Sequence, residues 1–321
     1  MARVLDGIEA FFDQLAAVDP LPAFLAVLCQ LARLASTSQA WRNILVAAYP
    51  DQSVPRRSIL GAYLAGIGIN AIIPVRAGDA VRVVLAHRAI PESTYTTVIS
   101  STLVLSIFDI TAATALLVWA IVTLDALPGI SQLPRLPSFD FAWLLDRPLA
   151  AELVLAAVFI ALVVLAIWIH GHVRDFSDRV KQAFAVVRDP PAYFGSVAIW
   201  QAADWGLRLV TVWFMLDAFD IPQSVQNVLL VQVSSSLATL LPLTPGGLGT
   251  EQAFLLYVFG GAVPGAQLLA FSVGMRLMLL STNVVAGFSA IGLTLKTFRY
   301  SEALEGSKRK PARVDHDGPA L

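Results

Sequence analysis

The hydrophobic and polar positions of this chain alternate on the scale of whole segments, with long apolar stretches separated by short charged ones. Five of the apolar stretches reach or exceed about 20 residues, the length that an α-helix needs to cross the hydrocarbon core of a bilayer. They predict spanning helices at 21–40, 94–124, 149–170, 191–219 and 265–296. The pattern therefore predicts an all-α polytopic membrane protein.

Two further apolar segments, one in each half of the chain, are interrupted by proline and glycine. The first, 58–90, is broken between Pro74 and Gly78, and the second, 224–261, is broken across 242–249. Lipid cannot hydrogen-bond to broken backbone, so such breaks survive only inside protein or beside a water-filled cavity. We expect both segments to be re-entrant hairpins, with a kinked crossing of 58–90 as the alternative.

Most Lys and Arg residues fall on one common side of the predicted spans. If both hairpins return to the side from which they enter, this side holds the basic residues of 42–57, 171–190 and 296–321, together with Arg88. Cytoplasmic loops carry the excess of Lys and Arg. We therefore expect a multi-pass protein of the inner or plasma membrane with its C-terminus in the cytoplasm.

The same topology predicts two inverted units. A span, a re-entrant hairpin and a second span occur at 21–124 and again at 191–296, and the two hairpins enter from opposite sides, as in many secondary transporters. Between the units, 125–190 is predicted to supply an extracytoplasmic loop, a linking span and an amphipathic interfacial helix. A short lead-in at 1–20 and a disordered cytoplasmic tail at 297–321 complete the predicted organisation.

Composition agrees with this class and excludes several others. The chain is 57% hydrophobic and 14% charged, against about 25% charged residues in soluble domains. Its single cysteine, Cys29, excludes an internal disulfide and a cysteine-based metal cluster. His170 and His172 are two residues apart and would not share a helix face, so we expect neither a metal site nor another cofactor. No basic, aromatic-interleaved patch indicates a nucleic-acid partner.

The first hairpin carries charge at the depth of the membrane. Asn70, Arg76, Asp79 and Arg82 flank its Pro/Gly break. Ionisable residues at this depth are costly and usually functional, so Arg76 and Arg82 are candidate ligands of an anionic lipid headgroup. The alternative is that the charges neutralise each other and only cap the two half-helices.

The second hairpin has the more specific motif. Gly246, Gly247 and Gly249 could present backbone N–H groups beside the N-terminus of the following half-helix, which would form a site for an anion. Glu251 at that helix start could handle a proton or a cationic headgroup. Alternatively, Glu251 is only a first-turn carboxylate that the helix dipole favours.

Further charges lie within the predicted spans. Asp204 and Arg208 are four residues apart and are predicted to pair on one helix face. Arg276 lies well inside the last span and needs a carboxylate, for which Asp109 is the natural candidate because both occupy the third element of their unit. Such pairs could contact the substrate or could only hold the two units together.

At these motifs the chain resembles the transmembrane region of lysylphosphatidylglycerol synthases, a family also described as flippase-like membrane proteins. The resemblance covers roughly residues 20–300 and includes, less cleanly, the stretch from Arg33 to Arg42. Two positions depart from the family pattern: Asp79 stands where Glu is usual, and Ser106 stands where an Arg usually precedes the Asp by three residues.

The resemblance implies flippase activity without lipid synthesis, because no soluble aminoacyl-transferase domain follows the membrane part in this sequence. We expect a non-enzymatic transporter that moves a phosphate-bearing lipid headgroup, from a phospholipid or a polyprenyl-phosphate glycolipid, across the inner membrane. The alternative is a lipid-binding scaffold or accessory subunit of a lipid or cell-envelope pathway that translocates nothing. Membrane lipid is the expected substrate, and both a partner enzyme and a homo-oligomer remain open as assemblies.

Overall fold

A computed structural model of the chain describes residues 11, 13–73, 77–124, 174–240, 249–259 and 262–308. These residues are mainly helical and contain no strand. In chain order the α-helices are α1 Pro20–Ala48, α2 Arg56–Ile72, α3 Ala77–Ala89, α4 Tyr95–Leu124, α5 Arg174–Ala183, α6 Pro190–Tyr193, α7 Ile199–Ala218, α8 Val225–Leu240, α9 Thr250–Val258 and α10 Gly265–Lys308. A 3₁₀ turn, Ala185–Arg188, precedes α6, and a π-helical turn, Phe194–Ala198, joins α6 to α7.

Three of the described helices are long and apolar enough to cross a membrane. They are α1, the Tyr95–Leu116 part of α4 and the Gly265–Leu293 part of α10. The charged helix α7 is not among them, and the predicted span at 149–170 lies outside the described residues. The apolar helices identify the chain as a membrane protein.

Two helices run beyond their predicted ends. Helix α1 continues past residue 40 to Ala48 because Trp41, Ile44 and Leu45 extend its apolar side and are fully buried. Helix α10 continues past residue 296 to Lys308, so the first part of the predicted disordered tail is helical. That stretch has no proline and is rich in good helix formers up to its single glycine, which favours continuation.

Helices α1 and α7 form an antiparallel pair. The Asp19 N–H, at the start of α1, donates to the Ala218 carbonyl at the end of α7 over 3.0 Å. At the other end of the pair, the Asn43 amide donates to the Ser196 carbonyl over 2.6 Å. We call the two ends of the bundle the Pro20 end and the Ala48 end, after the first and last residues of α1.

The first hairpin, α2 and α3, opens at the Ala48 end. Just before α2, the Val54 carbonyl accepts a hydrogen bond from Arg42 Nε over 3.0 Å. Just after α3, the Thr94 N–H donates to the Tyr49 hydroxyl over 3.0 Å. The chain therefore enters and leaves this hairpin at one end, and α4 starts from that end.

The second hairpin, α8 and α9, opens at the Pro20 end. Residues 219–221 cap the C-terminus of α7, and α8 begins four residues later. Shortly after α9, the Gln267 amide donates to the Phe219 carbonyl over 2.7 Å. The two hairpins thus open at opposite ends of the bundle, and α10 starts from the Pro20 end.

Close backbone contact fixes the first hairpin against α10. At the crossing of α2 and α10, a Cβ on Gly68 would lie 2.7 Å from the Gly287 Cα. Real Cβ atoms do not approach other atoms so closely, so both positions require glycine. Helix α8 of the second hairpin contacts α4.

Candidate functional site: a cavity with charged side chains among five helices

The halves of the first hairpin meet backbone to backbone near its tip. A Cβ on Gly78 would overlap the Gly66 carbonyl oxygen, and a Cβ on Gly66 would lie 2.7 Å from the Gly78 carbonyl oxygen. Only residues without a side chain fit at this approach. The contact sets the spacing of α2 and α3 and brings their polar residues together.

Asn70 and Arg82 satisfy the charge of this hairpin locally. The Asn70 oxygen accepts a hydrogen bond from the Gly78 N–H over 2.8 Å, and its amide donates to Asp79 Oδ1 over 3.0 Å. A guanidinium nitrogen of Arg82 lies 3.5 Å from the same Asp79 oxygen. These contacts agree with the capping interpretation, in which the network closes the broken backbone. Arg76 lies outside the described residues, so its role as a phosphate ligand stays a prediction.

Arg82 also connects the first hairpin to α1. Its guanidinium carbon lies 5.7 Å from the centre of the Trp41 ring, within the range of a cation–π contact. The Trp41 indole donates in turn to the Ser101 hydroxyl on α4 over 2.8 Å. This side chain therefore packs between helices rather than extending freely from the hairpin.

The second hairpin places Glu251 between two helices. Its carboxylate accepts a hydrogen bond from the Ser235 hydroxyl on α8, and its other oxygen lies 3.9 Å from a guanidinium nitrogen of Arg276 on α10. Gly249 has a φ of +87°, a conformation that favours glycine, and its N–H donates to the Gln252 side chain over 2.7 Å. That N–H is thus already used, whereas Gly246 and Gly247 lie outside the described residues.

The predicted pair on α7 is present and belongs to a larger cluster. Arg208 and Asp204 are in contact at 3.2 Å. Asp204 is only 5% exposed, accepts a hydrogen bond from the Thr37 hydroxyl over 2.6 Å, and lies 3.7 Å from Arg33 Nε. One buried carboxylate therefore serves two guanidinium groups, one from α1 and one from α7.

The predicted contact between Asp109 and Arg276 is not formed. Asp109 on α4 instead accepts a hydrogen bond from the Trp205 indole over 2.9 Å, and Arg276 lies beside Glu251. The physical reason is the packing of α4, whose Asp109 side meets α7, while Arg276 is next to the start of α9. The ion pair therefore joins α9 to α10, and not α4 to α10.

A cavity of about 410 Å³ brings most of these groups together. Gln30 and Arg33 line it from α1, Asp109 from α4, and Trp205 and Arg208 from α7. The remaining lining residues come from these helices and from α8 and α10, and include Thr114, Thr211, Gln232, Ser235, Ser236 and Met275. The cavity therefore combines charged and polar side chains with a mainly apolar wall, and its charged groups could bind a charged ligand.

Of the residues that line the cavity, the sequence predicts only Asp109 and Arg208 as site residues. Arg33 has no acidic residue three or four positions away on its own helix, which is the one available signal that it needs a partner or a ligand elsewhere. Trp205 lies in the middle of the predicted span at 191–219 and resembles an ordinary apolar helix residue, and Gln30 resembles an ordinary polar helix residue. Their common location becomes visible only when α1, α4 and α7 pack together.

Comparison with known proteins agrees with the helical membrane fold. No curated protein matches the chain. The family model described as the lysylphosphatidylglycerol synthase TM region matches residues 3–287, which is most of the sequence, and confirms the resemblance carried by the hairpin motifs. This chain belongs to the family of lysylphosphatidylglycerol synthase transmembrane regions.

Proposed function

We propose that this protein moves a phosphate-bearing lipid headgroup across the membrane in which it is embedded. The observation that carries the proposal is the cavity of about 410 Å³, lined by Arg33, Asp109 and Arg208. A charged headgroup cannot enter hydrocarbon without a large cost in free energy. Fixed polar partners inside a protein lower that cost, and charged side chains at this depth usually mark a substrate path.

The position of the cavity suits a lipid substrate. Its α4 wall includes Ile110, which is 65% exposed, so within the described residues the lining extends to the outer surface of the bundle. A headgroup could enter from the side while its acyl chains remain in the bilayer. The family to which the chain belongs is lipid-related, which supports this class of substrate.

We further propose that the chain consists of two inverted units, as predicted from the sequence. Helices α1 and α7, the first helices of the two units, run antiparallel, and the two hairpins open at opposite ends of the bundle. The contact of α2 with α10 has its counterpart in the contact of α8 with α4. Such an arrangement is typical of transporters whose substrate site lies between the repeats. By the distribution of Lys and Arg, the Ala48 end and the C-terminus face the cytoplasm.

We assign Glu251 to gating or to proton transfer. It lies one hydrogen bond from Ser235, which lines the cavity, and it faces Arg276 across 3.9 Å. Protonation of this carboxylate would weaken its attraction to Arg276 and would alter the wall of the cavity. Because the sequence carries no nucleotide-binding motif, transport would be passive, ion-coupled or driven by a partner.

A non-transporting lipid scaffold is the second candidate, and the first hairpin favours it. Asn70, Asp79 and Arg82 contact one another within the hairpin, as the residues of a structural element would, although Arg82 Nε has no acceptor among the described residues. The open cavity is the feature that a scaffold does not require. The two candidates therefore differ in what happens to a lipid after it binds.

The test is lipid exchange in proteoliposomes. Headgroup-labelled phospholipids and polyprenyl-phosphate lipids are followed from the inner to the outer leaflet, with and without a proton gradient. Wild type should exchange at least one of these lipids. Arg208→Gln and Glu251→Gln should each slow exchange by about tenfold or more, which corresponds to about 1.4 kcal/mol of barrier.

The matched control is Arg88→Gln, which removes an exposed guanidinium near the end of α3 and should leave exchange unchanged. Folding of each variant is checked by size-exclusion chromatography before reconstitution. An absence of exchange for every lipid, from folded wild-type protein under both conditions, would favour the scaffold over the transporter.

A further inference from the structure

The two guanidinium groups of the cavity use few of their hydrogen-bond donors. Arg33 donates no side-chain hydrogen bond to any residue in the described ranges, since its 3.7 Å approach to Asp204 is too long for one. Arg208 donates one such bond, to Asp204, and its Nε has no acceptor among the residues that the structure describes. A guanidinium carries five N–H donors, so most of the donors of this pair are unused.

Unused donors at this depth point to an anionic ligand. Buried polar groups in proteins nearly always have hydrogen-bond partners, and those that lack them require an explanation. Two guanidinium groups share the single carboxylate of Asp204, so this side of the cavity carries an excess positive charge. Guanidinium groups suit the oxygen atoms of phosphate in both charge and geometry.

The cavity also carries acceptors that few donors of the described residues reach. Asp109 accepts one hydrogen bond, from the neutral indole of Trp205, and no Lys or Arg in the described part of the chain lies within 4.0 Å of it. Gln30, one helical turn before Arg33 on α1, is only 1% exposed, and its side-chain oxygen accepts no hydrogen bond from the described residues. A carboxylate that no cation of the described residues contacts suits a ligand that carries an ammonium group and its three N–H donors.

Trp205 holds the two kinds of group close to each other. Its indole N–H binds Asp109, while the guanidinium carbon of Arg208 lies over its ring at 4.6 Å from the ring centre. One aromatic side chain thus fixes a positive and a negative group within reach of a single headgroup. The four ionised residues Arg33, Arg208, Asp109 and Asp204 sum to zero charge, so a headgroup of zero net charge leaves no charge uncompensated.

From this arrangement we propose that the cavity is a binding site for a zwitterionic phospholipid headgroup, with its phosphate at Arg33 and Arg208 and its ammonium at Asp109. An anionic phospholipid would satisfy the guanidinium groups but would leave Asp109 without a cation. The proposal rests on the proposed function in that it takes a lipid as the ligand. It concerns which headgroup binds, and binding is measured without any translocation.

The experiment compares two soluble lipids with the same short acyl chains, dihexanoyl phosphatidylethanolamine and dihexanoyl phosphatidylglycerol. Each is titrated below its micelle concentration into the detergent-purified full chain, and binding is followed by isothermal titration calorimetry. Because the additional contact is charge-assisted, we expect wild type to bind the ethanolamine lipid about tenfold more tightly or better.

Variants then assign each group to its part of the headgroup. Asp109→Asn should remove the preference, because it weakens binding of the ethanolamine lipid about tenfold and does not weaken binding of the glycerol lipid. Asp109→Glu should keep the preference. Arg208→Gln should weaken binding of both lipids. The controls Asp178→Asn and Arg179→Gln change exposed residues of α5 and should alter neither affinity.

Equal or tighter binding of the glycerol lipid by wild type would overturn the proposal, as would an unchanged preference in Asp109→Asn. If that variant does not fold, the wild-type ratio and Asp109→Glu still decide the outcome. Headgroup preference in detergent together with no exchange in proteoliposomes would refute transport alone. Exchange of both lipids without any difference in affinity would refute this inference alone.

Discussion

Replacement of Asp204 by Asn should strongly destabilise the protein. The carboxylate is 5% exposed and is the shared counter-ion of Arg33 and Arg208. An Asn oxygen can still accept the 2.6 Å hydrogen bond from Thr37, so the substitution removes the charge and little else. Removal of one partner of a buried ion pair costs about 3–5 kcal/mol, because the remaining charge is left uncompensated. Two guanidinium groups are left here, so we expect a loss within that range.

A second substitution tests whether uncompensated charge causes the loss. In Asp204→Asn/Arg208→Gln only the Arg33 guanidinium remains, so part of the lost stability should return, with a coupling of about 1 kcal/mol or more between the two sites. Unfolding is measured by SDS titration in mixed micelles and followed by circular dichroism. All variants are compared in one detergent.

The matched control is Asp217→Asn, which removes an exposed carboxylate from the same helix and should change stability by no more than about 0.5 kcal/mol. If Asp204→Asn unfolds at the same SDS concentration as Asp217→Asn, the claim that Asp204 compensates buried charge is refuted. A double variant that is as unstable as the sum of the two single variants would show that loss of packing, rather than electrostatics, is responsible.

Two further predictions concern the first hairpin. Gly78→Ala should lower stability by about 1–3 kcal/mol because its Cβ would overlap the Gly66 carbonyl oxygen, whereas Gly206→Ala, with open space around the added Cβ, should be neutral or stabilising in the same unfolding titration. Asn70→Ala should cost about 1–3 kcal/mol because the Gly78 N–H loses its acceptor, and a change below about 0.5 kcal/mol would show that water replaces this contact.

The helices and hairpins were predictable because their signals are local. The breaks near Pro74 and across 242–249 separate helices at the predicted positions, and the Asp204–Arg208 pair follows from spacing along one helix. These features depend on residues within a turn or two of each other. For such features a single sequence contains the required information.

The composition of the cavity was not predictable for the same reason. The contact of Arg33 with Asp204 joins residues far apart in sequence, and it depends on how α1 and α7 are rotated about their axes. The Asp109–Arg276 pair was inferred from matching positions in two units, which indicate depth but not the side that each helix presents. Several residues at the same membrane depth could have been the partner of Asp109. In the packed structure Asp109 accepts its hydrogen bond from Trp205.

The antiparallel pair of α1 and α7 also limits how this protein can move. Polar contacts join the two helices near both ends and near the middle, through Asp19, Thr37 and Asn43 on α1. A slide of one helix along the other by a single turn would break all three contacts at once. We therefore expect α1 and α7 to keep their relative position. An opening of the cavity to alternate sides would then require the hairpins, α4 and α10 to tilt relative to this pair.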